Sequence, residues 1–364
     1  MKDFFPIPPI PALSRAIQPL ADYLGLEIMP LHIHQILIAA LFYTVVQVAV
    51  SPLISNYFVP NIYGPMSRSK KVSWDSHVVS LVQSLLINGL ALWCIATDQE
   101  RKNMDSDWKE RIYGYVSTSA TISAFACGYF LWDLVITLLN FDAFGPGLLA
   151  HAFSALAVFS FGFQEARSDC ILDLVLALLE QLTNSQQRPF LTYYGCVFIL
   201  YELSTPFLNV HWFCDKLGMT GSRLQLYNGI ALLTTFFSCR LIYGTYMSAW
   251  VYHDMWKAVW DGPSVDWVNN PAALNPSHVR APSAGQGPIP LWLFLMYVAS
   301  NVTLNSLNVY WFFKMIAAVR KRFEPTPGEK STNAEKSLSN SASIASGAEI
   351  NDAAARQRPI VANL

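Results

Sequence analysis

Long apolar runs, separated by short polar segments, dominate the pattern of this chain. About 20 apolar residues cross the hydrocarbon core of a bilayer, and seven stretches approach or exceed that length. The bilayer offers no water to backbone polar groups, so each stretch is predicted to be an α-helix. The predicted spans are approximately His32–Ser55, Ser76–Thr97, Tyr115–Asn140, Gly145–Phe163, Pro189–Pro206, Leu224–Val251 and Pro290–Val319.

The composition supports the same conclusion. Charged residues make up 13% of the 364 residues, about half of the roughly 25% that soluble domains carry. Aromatic residues also make up 13%, and the net charge is −1. A near-neutral chain has no electrostatic footprint for nucleic acid. The predicted fold class is therefore an all-α, polytopic integral membrane protein.

The predicted spans divide the chain into four parts. Residues 1–31 form an N-terminal segment without the unbroken apolar core of a signal peptide. Residues 32–70 hold the first transmembrane helix and a loop, and residues 71–322 hold the other six spans. Residues 323–364 are rich in Ser, Ala, Asn and Glu and are predicted to be a disordered tail. The basic cluster Arg320–Arg322 after the last span favours a cytosolic tail.

Polar residues inside the spans are the candidates for function, because an ionisable side chain in the bilayer is costly and usually faces the bundle interior. They could line a cavity that holds a lipid headgroup or an acyl-transfer site. They could instead pair between helices, for instance Arg240 with Asp133 or Glu202. The candidates are Asp133, His151, Glu202, Asn209, Asn228, Arg240, Asn301, Asn305 and Asn308.

Two of these residues are candidates for a catalytic role. His151 could act as a general base, with Asp133 as the accompanying acid. The alternative for a lone helical histidine is a hydrogen-bonded packing role. The six cysteines form no CxxC pair, and no metal-ligand spacing or phosphate-binding glycine loop occurs. We therefore expect neither a metal nor a cofactor.

Four segments resemble the TLC-domain family, which includes ceramide synthases and translocon-associated membrane proteins. They are GYFLWD, LLAHAFSAL, YELSTPFLNVHWF and LNVYWFFKM, within about Lys71–Arg322. The resemblance implies a core of six helices around a central cavity, preceded by one extra helix. It also implies residence in the endoplasmic reticulum and a role in lipid composition or sphingolipid metabolism.

The chain departs from the ceramide synthases within this resemblance. Those enzymes carry two adjacent histidines and a later pair of aspartates, whereas here His151 is followed by Ala152 and no matching aspartate pair occurs. Asp133, Glu202 and Pro206 match the acidic and proline positions of the family segments. The resemblance is thus to the lipid-regulating branch and not to the ceramide synthases.

Residues 164–187 form an atypical stretch between the fourth and fifth spans. The stretch is too short and too charged to cross a bilayer, and its centre is predicted to form an amphipathic helix at the interface. In relatives, the equivalents of SFGF and RPF look directly joined. The segment is therefore interpreted as an insertion, or as an unspliced segment of the gene.

Three functions follow from these observations. The first is a lipid-homeostasis protein that binds a lipid or acyl chain in its bundle. The second is an acyltransferase acting on a sphingoid base with an acyl-CoA donor. The third is a non-catalytic scaffold or chaperone for other membrane proteins. The expected partners are membrane lipids, with a sphingolipid or acyl-CoA as candidates; the oligomeric state is left open.

Overall fold

A computed structural model describes residues 4–24, 26, 29–160, 163, 191–261, 289 and 291–323. Every regular element in these ranges is a helix, which confirms the predicted all-α class. The predicted insertion at 164–187 and the predicted tail beyond residue 323 lie outside the described residues.

The long helices follow the predicted spans. Between them lie short helices at Pro60–Tyr63, Gln99–Asn103, Met104–Ser106 and Trp108–Tyr113. We number the others α1 (Pro11–Leu24), α2 (Met29–Phe58), α3 (Arg68–Thr97), α4 (Ser117–Leu139), α5 (Phe141–Ser160), α6 (Thr192–Ile199), α7 (Thr205–Lys216), α8 (Arg223–Asp261) and α9 (Leu291–Phe323). A 3₁₀ turn at Leu200–Ser204 joins α6 to α7.

Five described helices are long and apolar enough to cross a membrane, namely α2, α3, α4, α5 and α8. They coincide with five of the seven predicted spans. The described part of the fifth predicted span is divided between α6, the 3₁₀ turn and the start of α7. The seventh coincides with α9, a helix of 33 residues. These two segments are helical, although neither is among the five.

Proline and glycine account for two departures from straight helices. Pro206 lies in the first turn of α7, where its missing N–H costs no intrahelical bond. In α5, Gly145 has a φ of 76° and produces a kink next to Pro146. Glycine adopts this left-handed conformation without the steric cost that other residues carry.

Two π-helical turns interrupt the longest spans, at Val46–Val50 in α2 and at Phe236–Tyr243 in α8. Each turn contains one polar residue with a buried side chain, Gln47 in the first and Arg240 in the second. Such turns are rare and occur frequently at functional sites.

The extra first helix, α2, packs mainly on α4. At their crossing, an added Cβ on Gly128 would lie 2.5 Å from the carbonyl oxygen of Ile36. Only glycine permits this approach, as small residues commonly do between membrane helices. The other helices, α3 to α9, form the core that surrounds the site.

Candidate functional site

A central cavity lies between the core helices, and each of the six core spans contributes to its wall. The lining is mostly apolar, with aromatic side chains from α4, α5 and α6. Polar groups come from α3, α5, α8, α9 and the 3₁₀ turn. The lining residues are Gln83, Ala126, Phe130, His151, Ala155, Phe159, Phe198, Ile199, Tyr201, Glu202, Arg240, Leu304 and Asn308. No residue of α2 lines the cavity, as expected for one extra helix outside a six-helix core.

Arg240 is the centre of the polar part of the wall. Its guanidinium donates hydrogen bonds to Ser204 Oγ at 3.0 Å, Thr205 Oγ1 at 3.0 Å and Asn308 Oδ1 at 3.1 Å. Glu202 Oε1 lies 3.6 Å from Arg240 Nη2 and forms a looser ion pair. The planar guanidinium group carries five N–H donors in fixed directions, so it can bond to several acceptors at once. The ion pair is the Arg240–Glu202 alternative that the sequence suggested.

Thr205 connects the two charged partners. Its hydroxyl donates to Glu202 Oε2 at 2.7 Å and accepts from Arg240 Nη2. Both charged side chains are therefore buried with hydrogen bonds from one short segment at the 3₁₀ turn. This arrangement fulfils the requirement that a buried charge be paired and hydrogen-bonded.

Two polar side chains of the wall have atoms without hydrogen-bond partners among the described residues. They are Gln83, at both its amide oxygen and its amide nitrogen, and His151 at Nδ1. Gln83 is 1% exposed. The His151 ring lies edge-on to Phe130 and Trp311. Buried polar groups are nearly always paired, so each exception requires an explanation.

The two candidate catalytic residues, His151 and Asp133, are not hydrogen-bonded to each other. Within the described ranges, Asp133 has no hydrogen bond or ion pair, and it is absent from the cavity wall. Glu202 is close enough to interact electrostatically with both residues, and Arg240 also interacts with His151. The arrangement thus offers His151 as an unbonded ring in a charged neighbourhood, without an orienting acid.

The asparagines of α9 share one face, as their spacing indicated, but they serve two purposes. Asn308 bonds to Arg240 at the cavity. Asn305 donates to Ser248 Oγ at 3.1 Å and accepts from Tyr201 at 3.1 Å. Asn301 accepts from Tyr252 at 2.6 Å and from Asn305 at 2.8 Å. Asn301 and Asn305 therefore connect α9 to α8 and to the 3₁₀ turn, and neither lines the cavity.

The remaining candidates lie elsewhere. Asn209 accepts from His77 at 2.8 Å and donates to Ser80 at 3.0 Å, which joins α7 to α3. Asn228 donates to the carbonyl oxygen of Phe207 at 2.8 Å, which joins α8 to α7. Neither residue lines the cavity. Their contacts are those of interhelical pairing.

Gln83 and Tyr201 are two polar cavity residues that the sequence did not single out. Gln83 lies in the middle of an apolar run, VVSLVQSLL, so the test of polarity at membrane depth applies to it as well. Tyr201 was missed for a different reason. Tyrosine is amphipathic and is ordinarily expected at a membrane interface, so its hydroxyl gives no sequence signal for a buried role.

The cavity is narrow in this conformation. The centre of a water molecule has about 20 Å³ in which to move, enough for one or two waters. A larger group fits only if the surrounding aromatic side chains or helices move. The site therefore has a built polar wall and little open space.

Comparison with known proteins agrees with this architecture. The TLC domain model matches residues 73–184 and 171–317. The chain is 33% identical over 85% of its length to an uncharacterized TLC domain-containing protein of Schizosaccharomyces pombe, of which 87% is covered. It is 25% identical to Topoisomerase I damage affected protein 4 of Saccharomyces cerevisiae, with 82% of this chain and 88% of that protein covered.

A vertebrate relative shows the same extent of similarity. TLC domain-containing protein 4-A of Xenopus laevis is 26% identical over 78% of this chain and 88% of its own length. No solved structure matches. The model match and the Schizosaccharomyces pombe relative together cover the six-helix core and its polar site, and the chain belongs to the TLC-domain family of membrane proteins.

Proposed function

We propose that this protein acts in lipid homeostasis and binds a membrane lipid, or its acyl chain, within the six-helix bundle. One observation carries the proposal. Unpartnered polar atoms of Gln83 and His151 face a cavity whose other walls are mostly apolar. Leaving a buried polar group unbonded costs about 1–3 kcal/mol. An amphipathic ligand would offer hydrogen bonds to these atoms and apolar surface to the walls.

The lipid's polar part would lie between Gln83, His151 and the Arg240 group. Its apolar part would contact Phe130, Phe159 and Phe198, three aromatic rings of the cavity wall. Binding then requires those rings to move, because the open volume is small. Ligand pockets commonly combine apolar walls with a few placed polar groups. A sphingolipid or an acyl-CoA is the candidate ligand class.

The acyltransferase alternative has weaker support. A general base should lie within hydrogen-bond reach of its proton donor and be oriented by a partner. His151 has electrostatic neighbours but no orienting acid among the described residues. A solidly packed scaffold would pair its polar groups internally, and Gln83 does not fit that expectation. Lipid binding is therefore the better-supported function.

The proposal includes a location. Residence in the endoplasmic reticulum follows from the family resemblance, and a cytosolic C-terminus follows from the positive-inside rule applied to Arg320–Arg322 and to Arg68, Lys70 and Lys71. Glycosylation sites placed after Leu364 and in the N-terminal segment test the topology. Modification of the N-terminal site alone is the expected result.

The test is lipidomics on cells that lack the protein and are then rescued at matched protein levels. The rescuing variants are wild type, His151→Ala and Gln83→Leu. Thr118→Val is the matched control, because Thr118 is also buried with an unpartnered hydroxyl but lies outside the cavity wall. We expect wild type and Thr118→Val to restore the lipid profile and both cavity variants to fail.

The same cells separate the alternatives. Full rescue by both cavity variants would refute lipid binding at this site and favour the scaffold. A failure of His151→Ala alone, with full rescue by Gln83→Leu, would favour catalysis by His151. Purified protein extracted from these cells should carry a co-purifying lipid that Gln83→Leu loses, as measured by mass spectrometry.

A further inference from the structure

A second and larger pocket lies between α2 and the start of α3, away from the central cavity. Its volume is about 460 Å³, within the range of roughly 300–1,000 Å³ that ligand pockets occupy. It shares no lining residue with the central cavity. It includes Gln47 of the π-helical turn, Tyr63, and Arg68, Lys71 and Asp75 of α3. We call it the interfacial groove.

The mouth of the groove is positive. Arg68 and Lys71 line it from the first turn of α3, and neither forms an ion pair within the described ranges. Ser67, which precedes this turn, makes no side-chain cap. The first N–H groups of the helix are therefore available to an anion, as is common at helix N-termini. Lys71 Nζ lies 5.0 Å from the centre of the Tyr63 ring.

The floor of the groove accepts hydrogen bonds. The Gln47 side chain is buried, with 7% of the residue exposed, and its amide oxygen has no partner among the described residues. Asp75 accepts from Ser51 Oγ at 2.6 Å and from the Tyr63 hydroxyl. No described cation lies within ion-pair distance of this carboxylate, and Lys71 of the same groove interacts with it electrostatically at longer range. The floor is thus suited to a group that donates hydrogen bonds and carries positive charge.

Exposed apolar residues lie beside this groove. Val48, which forms part of its wall, is 66% exposed, and Leu53 on the next turns of α2 is 72% exposed. Exposed apolar residues on a membrane span face acyl chains. The groove extends from the π-helical turn of α2 to the first turns of α3, on the side where these two apolar helices are connected.

The charges and the apolar rim together point to one ligand. We infer that the interfacial groove binds a zwitterionic phospholipid headgroup that joins a phosphate to a primary ammonium, as in phosphatidylethanolamine. The phosphate lies against Arg68, Lys71 and the first turn of α3. The ammonium donates to the Gln47 amide oxygen and the Asp75 carboxylate. This site is separate from the central cavity and does not depend on the function proposed for it.

The experiment uses the full-length protein reconstituted in liposomes of dioleoyl phosphatidylcholine, phosphatidylethanolamine and phosphatidylglycerol in equal parts. The protein is then re-extracted in mild detergent, and the retained lipids are quantified by mass spectrometry. The variants are Gln47→Leu, Lys71→Gln and Arg68→Gln. Lys70→Gln is the matched control, since Lys70 shares their helical turn but does not line the groove.

We expect wild type and Lys70→Gln to retain phosphatidylethanolamine selectively. Each groove variant should lower its retention about tenfold, the size expected for losing one hydrogen bond or contact to a charged group. Size-exclusion profiles check that each variant is folded; Arg68→Gln changes an exposed side chain and so remains informative if Gln47→Leu does not fold.

Three results would overturn the inference. Equal retention of phosphatidylethanolamine by wild type and all groove variants would remove the site. Retention of phosphatidylglycerol as strong as that of phosphatidylethanolamine would remove the role of the ammonium. Displacement of the lipid by soluble glycerophosphoethanolamine at equal concentration would identify a soluble headgroup compound, not a membrane lipid, as the ligand. None of these results depends on Gln83 or His151, so they leave the proposal of lipid binding in the central cavity unaffected.

Discussion

Arg111 and Asp254 form a two-point ion pair that joins the short helix Trp108–Tyr113, which precedes α4, to the last turns of α8. Arg111 Nε donates to Asp254 Oδ2 at 2.7 Å and Nη2 donates to Oδ1 at 3.0 Å, and the Asp254 side chain is fully buried. Tyr194 donates to the same carboxylate. Burial lowers the pKa of Arg111, but the hydrogen bonds and charge of Asp254 outweigh burial and raise the pKa above its usual value.

Replacing Asp254 by Asn should therefore destabilise the protein strongly. Removing one partner of a buried pair leaves an uncompensated charge and costs about 3–5 kcal/mol. The expected result is a clearly lower midpoint of thermal denaturation in detergent, measured by fluorescence-detected size exclusion. His253→Gln is the control, because His253 contacts the same carboxylate but its side chain is 56% exposed. An equal effect of both variants would contradict the assigned importance of the buried pair.

Arg240→Lys should also destabilise the protein, although the charge is kept. Lysine cannot reach Ser204, Thr205 and Asn308 in the three directions that the guanidinium reaches. Hydrogen bonds to charged groups contribute about 1.5–3 kcal/mol each, so we expect a loss of at least about 2 kcal/mol. Arg223→Lys, at the exposed start of the same helix, should leave the denaturation midpoint unchanged. Wild-type stability of Arg240→Lys would argue against the network.

Gly128→Ala should weaken the contact between α2 and α4. The new methyl group would meet the Ile36 carbonyl oxygen and the Ala39 side chain at 2.5 and 2.7 Å. Overpacking of this kind costs about 1–3 kcal/mol. Gly89→Ala is the control, since no atom lies within 4 Å of the position of its added Cβ. That substitution should stabilise α3 by about 0.5–1 kcal/mol through helix propensity, so the two alanines should shift the denaturation midpoint in opposite directions.

Gln83→Leu should raise stability while it abolishes the rescue described above. Both polar atoms of the Gln83 amide are buried without partners, and leucine of similar volume would relieve a cost of about 1–3 kcal/mol. A higher denaturation midpoint together with lost lipid retention identifies a residue kept for function at the expense of stability. A lower midpoint would indicate that the Gln83 amide is hydrogen-bonded in the membrane.

The sequence predicted the helices well because hydropathy acts locally. A run such as ALWCIAT or LVITLL needs no knowledge of its neighbours to be assigned to a membrane span. Pro206 and Gly145 lie where the helices depart from straight geometry, because both departures depend on the residue's own backbone preferences. The π-helical turns around Gln47 and Arg240 left no such signal, since neither turn contains a glycine or a proline.

The candidate site was predicted only in part. The criterion of a polar residue inside a predicted span identified His151, Glu202 and Arg240, which line the cavity. The same criterion also identified Asn209 and Asn228, which form hydrogen bonds between other helices. Asp133 matched the family segment, yet it lies outside the cavity wall. Depth alone cannot distinguish these roles, because every helix has several faces and the sequence does not say which face meets which neighbour.

By itself, the sequence determined that this protein is helical, crosses the membrane several times and belongs to the TLC-domain family. Those properties are sums over local residues or over matched motifs. Only the tertiary structure decided that Arg111 pairs with Asp254, 143 positions away, and that Gln83 faces the same cavity as His151. Such pairings depend on helix rotation and crossing, which are fixed by the packing of many side chains together.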